Sequence, residues 1–473
     1  MTNFWDFNVW GGFFLVAILL CSLLVGNVLK KAVPFLRDSL IPTSVLGGLI
    51  LLVVAEIYRA ITGRGLFDEA AFGGNGYANL EIITYHTLAL GFIASSFKTS
   101  DNKLTKKRTV EIFNTGVTTV STYLIQAIFG LGIGLIVSLV ITEFLPAAGV
   151  LLPFGYGQGT GQALNYGTIY ETDYGFVGGK SFGLTIAALG FLSAAIGGVI
   201  HLNILKKRGK IKIEKKEDGI RSFEEVEGKD EIPMQDSIDK MTVQIALIAV
   251  AYALSYLFMY LLGALLPGMK STIYGFNFLL GVLSAMLVKA VLKFLKKKSI
   301  VKKNYTNNFL MTRASNLFYD IMVVAGIAAI RLDLLEKYWG VILILGVVGL
   351  VITYVYNRIV AKTLFKDYAE EQFMAMYGML TGTASTGIIL LREIDGDFKT
   401  PVADNLVYQN LPAIVFGFPM MLLATLAASK PVLTFGILIV FFAVMNVILF
   451  RSKIFKGKKS QPLVEESSET TSK

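Results

Sequence analysis

Residues 152–167 read LPFGYGQGTGQALNYG, and residues 376–393 read MYGMLTGTASTGIILLRE. Both stretches are moderately apolar, yet their glycine and threonine runs argue against one uninterrupted membrane-spanning helix. Each segment must return to the side of the membrane from which it came, because counting either as a full span would invert the charge bias of everything after it. We therefore predict re-entrant hairpins at about 145–170 and 369–391, whose irregular backbone is tolerated only where it is buried in protein or lines a cavity.

The rest of the chain has the composition of a membrane protein. Hydrophobic residues make up 54% of the sequence and charged residues 16%, and the mean hydropathy is +0.61. A soluble domain usually carries about 25% charged residues. The net charge of +10 does not indicate nucleic acid, because the basic residues lie in short clusters between apolar runs. A single cysteine, Cys21, excludes a disulfide framework and a thiolate metal site.

Eleven apolar runs have the length of a membrane span, which is about 20 residues. A polar stretch at 206–240 separates the first five runs from the other six. The first five lie at about 9–29, 40–58, 80–97, 109–142 and 174–205, and the others at about 241–266, 273–294, 314–331, 338–361, 402–428 and 431–450.

These runs divide the chain into two repeats with five spans and one hairpin each. We predict that residues 1–205 form the first repeat and residues 241–428 the second. Residues 206–240 are expected to be a cytoplasmic linker, and residues 429–451 an extra transmembrane helix. Residues 452–473 start basic and end in Glu, Ser and Thr, which is typical of a disordered cytoplasmic tail.

The positions of lysine and arginine predict the orientation in the membrane. If the N-terminus is outside, only seven of the 44 Lys and Arg residues belong to outside segments and their flanks. A bias of this size sets the topology under the positive-inside rule. We expect a multi-pass protein of the cell (inner or plasma) membrane with its N-terminus outside and its C-terminus cytoplasmic. The seven residues are Arg59, Arg64, Lys180, Lys270, Arg331, Lys337 and Lys430.

The two halves have the same layout in opposite orientations. The first hairpin is entered from outside and the second from inside. The predicted fold is thus an all-α membrane protein with two inverted repeats of five transmembrane helices, each with a re-entrant hairpin, plus one extra C-terminal helix. Inverted repeats of this kind are typical of secondary transporters that work by alternating access.

The residues at the two hairpin turns suit the chemistry of ion-coupled transport. Aligning 158–162 with 381–385 places a Gly-Thr pair at the centre of both. Glycine lets a helix break at mid-membrane and exposes backbone groups to a ligand. The N-terminus of the following half-helix carries partial positive charge that attracts a carboxylate. Free carbonyls and hydroxyls are oxygen ligands, which suit sodium. Alternatively, these small residues serve only close helix packing.

With GYGQGTGQA at 155–163 and GMLTGTASTG at 378–387, the chain resembles the glutamate:sodium symporter family. The resemblance extends from Phe13 to about Ala428. It implies sodium-coupled uptake of glutamate by an elevator motion, with a transport domain around the hairpins and a homodimer held by a scaffold domain. The sequence departs from better-known members in two ways. Gln158 and Gln162 stand where those members carry a histidine beside the first turn, and an eleventh span is added.

Turn residues and nearby charged residues are the candidate site. For the glutamate or a related anionic substrate we predict contacts from Gly159, Thr160, Gly161, Gln162, Gly382, Thr383, Ala384, Ser385, Thr386, Arg392 and Lys180. For the coupling sodium ion we predict ligands among Gln158, Asn165, Thr381, Asp404 and Asn405.

Several of these side chains have an equally simple alternative. Lys180 could contact a substrate carboxylate or snorkel to the interface. Arg392 could clamp a carboxylate with its planar fork or pair with Glu393 or Asp395 at the cytoplasmic surface. Asp404 and Asn405 could complete a sodium site or cap a helix.

Other polar residues within the spans are weaker candidates. Asn316 and Asp320 share one helix face and could face a transport domain, or Asp320 could form a plain surface pair with Arg313 at the membrane interface. His86 could couple protons or pack through a hydrogen bond.

The sequence leaves the substrate and the coupling ion partly open. Another small carboxylate, or coupling to protons, would fit the same architecture. An enzyme is not supported, because the chain has no H-E-x-x-H or Walker motif. A channel is not supported either, since it would need no inverted hairpins and no charged pore ring is evident.

Overall fold

The computed structural model describes residues 3–98, 105–209, 231–234, 238–396 and 399–454. Within these ranges the protein is helical, and the only bridge between extended residues joins Glu231 to Asn304. Ten helices are long and apolar enough to cross a membrane. The prediction of an all-helical, multi-pass membrane protein is confirmed. The predicted linker and tail lie largely outside the described residues.

Eighteen α-helices follow one another along the described chain, and a short 3₁₀-helix, Pro146–Val150, precedes the sixth. They are α1 Phe7–Ala32, α2 Pro34–Asp38, α3 Thr43–Thr62, α4 Gly76–Phe97, α5 Lys106–Ser138, α6 Leu151–Tyr174, α7 Gly179–Lys207, α8 Lys240–Leu265, α9 Lys270–Gly275, α10 Asn277–Lys297, α11 Asn308–Ala328, α12 Trp339–Leu364, α13 Ala369–Leu380, α14 Ala384–Arg392, α15 Val402–Tyr408, α16 Asn410–Ser429, α17 Pro431–Leu449 and α18 Arg451–Ile454.

Polar residues start several of the long helices, and basic residues or glycine end them. The side chains of Asp6 and Asp239 accept hydrogen bonds from the first turns of α1 and α8. Lys30 and Lys31 occupy the last turn of α1, where their positive charges interact favourably with the negative end of the helix dipole. Gly63 ends α3 with a φ of 72°, which suits glycine.

Two of the predicted spans differ from the observed helices. The span expected at about 314–331 is α11, which is not among the ten apolar helices because Arg313, Asn316 and Asp320 lower its hydropathy. The span expected at about 402–428 is two helices, α15 and α16, which meet at Gln409. Pro412 lies in the first turn of α16 and has no N–H to continue the hydrogen bonding of α15.

The first predicted hairpin is present, because α6 folds back on itself. Gly159 has φ 75° and ψ −168°, values that interrupt the helix. The rings of Phe154 and Tyr166 stack with their centroids 4.0 Å apart. Twelve residues of straight helix would separate them by about 18 Å. The segments before and after the hairpin also meet, since the ring centroids of Phe144 and Phe176 are 5.6 Å apart. We call residues 146–174 the first hairpin.

The second predicted hairpin consists of α13 and α14, joined at residues 381–383. Its two arms pack closely, since a Cβ at Gly378 would lie 2.9 Å from the Cα of Gly387. Thr383 is the N-cap of α14, and its N–H donates to Thr386 Oγ1 at 3.4 Å. We call residues 369–392 the second hairpin. Its orientation in a membrane, like that of the first, stays a prediction.

The helices pack in two groups around the first hairpin. In one group α1 packs on α3, α3 on α11, α8 on α10, and α10 on α4. In the other, α5 packs on α12, α16 and α17, and α7 packs on α6 and α12. The first hairpin also touches α4 and α11. It therefore lies where the two groups meet.

Candidate functional site

The turns of the two hairpins contact each other. A Cβ placed on Gly159 would lie 3.2 Å from Thr383 Cγ2 and 3.7 Å from the carbonyl oxygen of Gly382. These residues are more than 200 positions apart in sequence. The break in α6 at Gly159 and the turn at 381–383 between α13 and α14 bring the two turns to one place inside the protein.

A cavity of about 140 Å³ opens beside the meeting point. The hairpin turns contribute Gly157, Gln158, Thr383 and Ala384 to its wall. Polar groups from α5 and α16 and a set of aromatic and aliphatic side chains complete it. No charged side chain is among the lining residues that the structure describes, which include Leu88, Phe92, Ser95, Thr119, Tyr123, Phe278, Tyr319, Met322, Met379, Gln409, Asn410, Phe418 and Met421.

Two half-helices begin at this cavity. The second arm of the first hairpin starts after Gly159, and α14 starts at Ala384. The first N–H groups of a helix have no partner within the helix, and the helix dipole gives this end a partial positive charge. The cavity thus lies near the positive ends of two helix dipoles, without a cationic side chain among its described lining residues.

A hydrogen-bonded set of side chains holds the walls of the cavity. The Tyr123 hydroxyl donates to the carbonyl oxygen of Gly157 at 3.0 Å, which ties α5 to the first hairpin. Thr119 Oγ1 donates to Gln409 Oε1 at 2.9 Å, and Gln409 Nε2 donates to Asn410 Oδ1 at 3.0 Å. Sequence analysis missed these residues. For Thr119 and Tyr123 the signal was the polar run at 114–126 within an apolar span, because polar groups at membrane depth are costly and often functional.

The residues predicted to bind substrate fall into two sets. Gly159, Thr383 and Ala384 meet at or beside the cavity, with Gly382, Ser385 and Thr386 in the same turn of the second hairpin.

Thr160, Gly161 and Gln162 are not among the described residues that line the cavity. Thr160 donates to the carbonyl oxygen of Met322, a Cβ on Gly161 would touch Leu88, and Gln162 is buried beside Asn165.

The two predicted cationic contacts lie away from the cavity. Lys180 Nζ is 2.9 Å from Glu81 Oε2 and 3.8 Å from Glu171 Oε1, at the start of α7. Arg392 is exposed in the last turn of α14. Eight residues of helix separate it from Ala384 by about 12 Å. The structure does not bring either side chain to the hairpin turns.

The five predicted sodium ligands do not converge. Gln158 lines the cavity, whereas Thr381 Oγ1 donates within its own helix to the carbonyl oxygen of Tyr377. Asn165 Nδ2 donates to the carbonyl oxygen of Gly275 at 3.1 Å. Asp404 is exposed, 3.9 Å from Arg108, and Asn405 is buried against Gln372. Their roles as ligands stay predictions, and the structure gives them no common centre.

The weaker candidates lie outside the cavity wall. Asn316 and Asp320 are exposed on α11. His86 Nδ1 is 2.6 Å from the Tyr252 hydroxyl, which links α4 to α8. This geometry matches the packing alternative for His86.

We expect Lys180→Met to leave the apparent affinity for substrate within about twofold of the wild type. Lys180 already has two carboxylate partners, so it contributes to packing at the start of α7 rather than to the cavity. The concentration of substrate for half-maximal uptake is the measurement. Lys180→Met combined with Glu81→Gln controls for the carboxylate left unpaired. If the half-maximal concentration rises tenfold or more in both variants, Lys180 contributes to the binding site.

Comparison with known proteins shows the family to which the chain belongs. The family model described as Sodium/glutamate symporter matches residues 10–399, which include both hairpins. Comparisons with curated proteins and with solved structures found no match. Because the match covers most of the 473 residues, the chain belongs to the sodium/glutamate symporter family.

Proposed function

We propose that the protein imports glutamate, or a similar acidic amino acid, together with sodium by alternating access. The observation that carries the proposal is the contact between the two hairpin turns beside a cavity, at Gly159 and Thr383. A site at the midpoint between two such turns can be exposed to either side of a membrane by movement of the helices around it. Family membership supports glutamate and sodium as the transported pair.

Backbone groups and the coupling ion account for anion binding at this site. The cavity wall has no Lys or Arg among its described residues. The N-termini of α14 and of the second arm of the first hairpin supply N–H donors to substrate carboxylates. Gln409 Oε1 and Asn410 Oδ1 each accept one hydrogen bond from a neighbour, and their second lone pairs can accept from the substrate's ammonium group. Sodium adds the positive charge that the side chains lack, which makes substrate binding depend on the ion.

The inverted-repeat topology is part of the same proposal. Corresponding helices of the two halves have reciprocal partners, since α3 packs on α11 and α10 packs on α4. This reciprocity supports two repeats related by a two-fold axis in the membrane plane. The N-terminus is then outside and the C-terminus cytoplasmic. The group around α5 and α7 is the transport domain that moves as an elevator, and the group around α4 and α11 is the scaffold that forms a homodimer.

Uptake into proteoliposomes tests the proposed function. With an inward sodium gradient, we expect radiolabelled glutamate to accumulate at least tenfold faster than with choline in place of sodium. A panel of unlabelled acidic amino acids and dicarboxylates then ranks the substrates by competition. Uptake that is unchanged in choline and stops when a proton gradient is collapsed would show that transport is coupled to protons and not to sodium. If another dicarboxylate competes better than glutamate, it is the substrate.

A further inference from the structure

Helices α5 and α12 face each other through two buried polar pairs. Gln126 Nε2 donates to Thr353 Oγ1 at 2.8 Å, and Asn357 Nδ2 approaches Thr122 Oγ1 at 3.4 Å. The partners are four residues apart on each helix, so they share one face and stack one turn apart. All four side chains are at most 1% exposed. The second hairpin joins them, because Gln126 Nε2 also donates to the carbonyl oxygen of Leu380 at 3.0 Å.

Each pair leaves an amide oxygen without a partner. Gln126 Oε1 and Asn357 Oδ1 are buried, and neither has a hydrogen-bond partner. A buried acceptor without a partner costs free energy, and native proteins rarely keep one without a reason. The amide of Gln126 meanwhile donates to two oxygens, Thr353 Oγ1 and the Leu380 carbonyl. An amide can rotate to present its oxygen in place of its nitrogen.

We propose that these groups form a binding site for a monovalent cation, which is sodium if the function proposed above is correct. Its ligands are the amide oxygens of Gln126 and Asn357, the hydroxyls of Thr122 and Thr353, and the carbonyl oxygen of Leu380. None of the five groups carries a charge. Calcium and magnesium sites are usually built with carboxylates, so a neutral oxygen cage favours a single positive charge.

The position of the site explains how the cation and the substrate depend on each other. Leu380 is the last residue of α13, whose C-terminal carbonyls carry partial negative charge that stabilises a cation. Thr383 and Ala384, at the N-terminus of α14, line the substrate cavity. Only the turn at 381–383 separates the two helix ends. A cation that fixes the carbonyl of Leu380 also fixes the N–H groups that the anionic substrate uses.

The test replaces ligands without changing the substrate cavity. Thr353→Val is nearly isosteric, and Gln126→Leu removes the amide oxygen. Thr84→Val in α4 is the matched control, because Thr84 is equally buried and bonds only to its own helix, through the carbonyl oxygen of Leu80. Gln126→Glu keeps an oxygen at the same position and should retain cation binding. Two quantities are measured: the sodium concentration for half-maximal uptake, and the sodium-induced rise in melting temperature of purified protein without substrate.

We expect Thr353→Val and Gln126→Leu to raise the half-maximal sodium concentration at least tenfold and to remove the sodium-induced stabilisation. Thr84→Val should stay within twofold of the wild type, and Gln126→Glu should keep the stabilisation. If Gln126→Leu does not fold, Thr353→Val alone decides. A wild-type sodium response in Thr353→Val would overturn the site while leaving sodium symport intact. A wild type that responds to sodium in neither measurement would overturn sodium symport and this site with it.

Discussion

Gly159→Val is expected to lower the initial rate of glutamate uptake by about 100-fold, which is the loss that a misplacement of about 1 Å can cause in an enzyme. Gly159 has a φ of 75°, a region that a β-branched residue adopts only with strain. Even its Cβ would lie 3.2 Å from Thr383 Cγ2, so the larger side chain pushes the two turns apart. The measurement is uptake into proteoliposomes at equal amounts of folded protein.

Gly175→Val is the matched control for this prediction. Gly175 ends the same helix with a φ of 69°, but nothing lies within 4 Å of a Cβ placed there. It therefore carries the strain of a positive φ, which is milder in its left-handed helical conformation (ψ 19°) than at Gly159 (ψ −168°), without the contact between turns. We expect a lower melting temperature and near-normal uptake. Equal losses in both variants, or full activity of Gly159→Val, would show that the contact between turns is unimportant.

Gly149→Ala is expected to have the largest effect on folding. A Cβ on Gly149 would lie 1.9 Å from the carbonyl oxygen of Gly130, and one on Gly130 would lie 2.1 Å from the carbonyl oxygen of Gly149. These backbones therefore touch, and α5 must move away from the entry to the first hairpin if a methyl group is added. Overpacking of this kind typically costs about 1–3 kcal/mol. The measurements are the melting temperature in detergent and the yield of monodisperse protein.

Gly436→Ala on α17 controls for the loss of glycine itself. Nothing lies within 4 Å of a Cβ at Gly436. Replacing glycine by alanine inside a helix should stabilise it by up to about 1 kcal/mol. We expect this variant to match or exceed the wild type in melting temperature. A Gly149→Ala protein as stable as Gly436→Ala would contradict the close approach of the two backbones.

Much of the fold was predictable because bilayers impose simple lengths and compositions. Spans such as α1 and α17 were predicted within three residues of their ends, since a run of about 20 apolar residues has few alternatives to a membrane-spanning helix. The fold-back at Gly159 followed from glycine clusters in a moderately apolar segment. The division of the last span of the second repeat at Gln409 was missed, because hydropathy is insensitive to a single break in helix direction.

The site was less predictable than the fold. Proximity in sequence suggested that Arg392 and Lys180 serve the hairpin turns, yet a helix carries Arg392 away from its turn and two carboxylates hold Lys180. Which face of a half-helix meets the cavity depends on tertiary packing, and Gln162, which was predicted to bind substrate, is not among the described residues that line the cavity. The pairing of Gln126 with Thr353 joins segments 227 residues apart and has no local sequence signal.

The exposure of the two hairpin turns to either side of the membrane tests the central claim most directly. Cys21 is the only cysteine, and Cys21→Ser gives a cysteine-free background. Gln158→Cys and Ala384→Cys then place one thiol on each turn, at positions that line the cavity. A membrane-impermeant maleimide is applied from outside or from inside, with and without sodium plus glutamate.

For both positions we predict labelling from each side, by outward-facing and by inward-facing molecules respectively. Sodium plus glutamate should slow the labelling of both at least tenfold, whereas either one alone should protect less. Ile61→Cys, at an exposed position near the end of α3, should react the same with and without the pair. If neither turn reacts from either side, or if sodium plus glutamate protects neither, the two turns do not form the transport site.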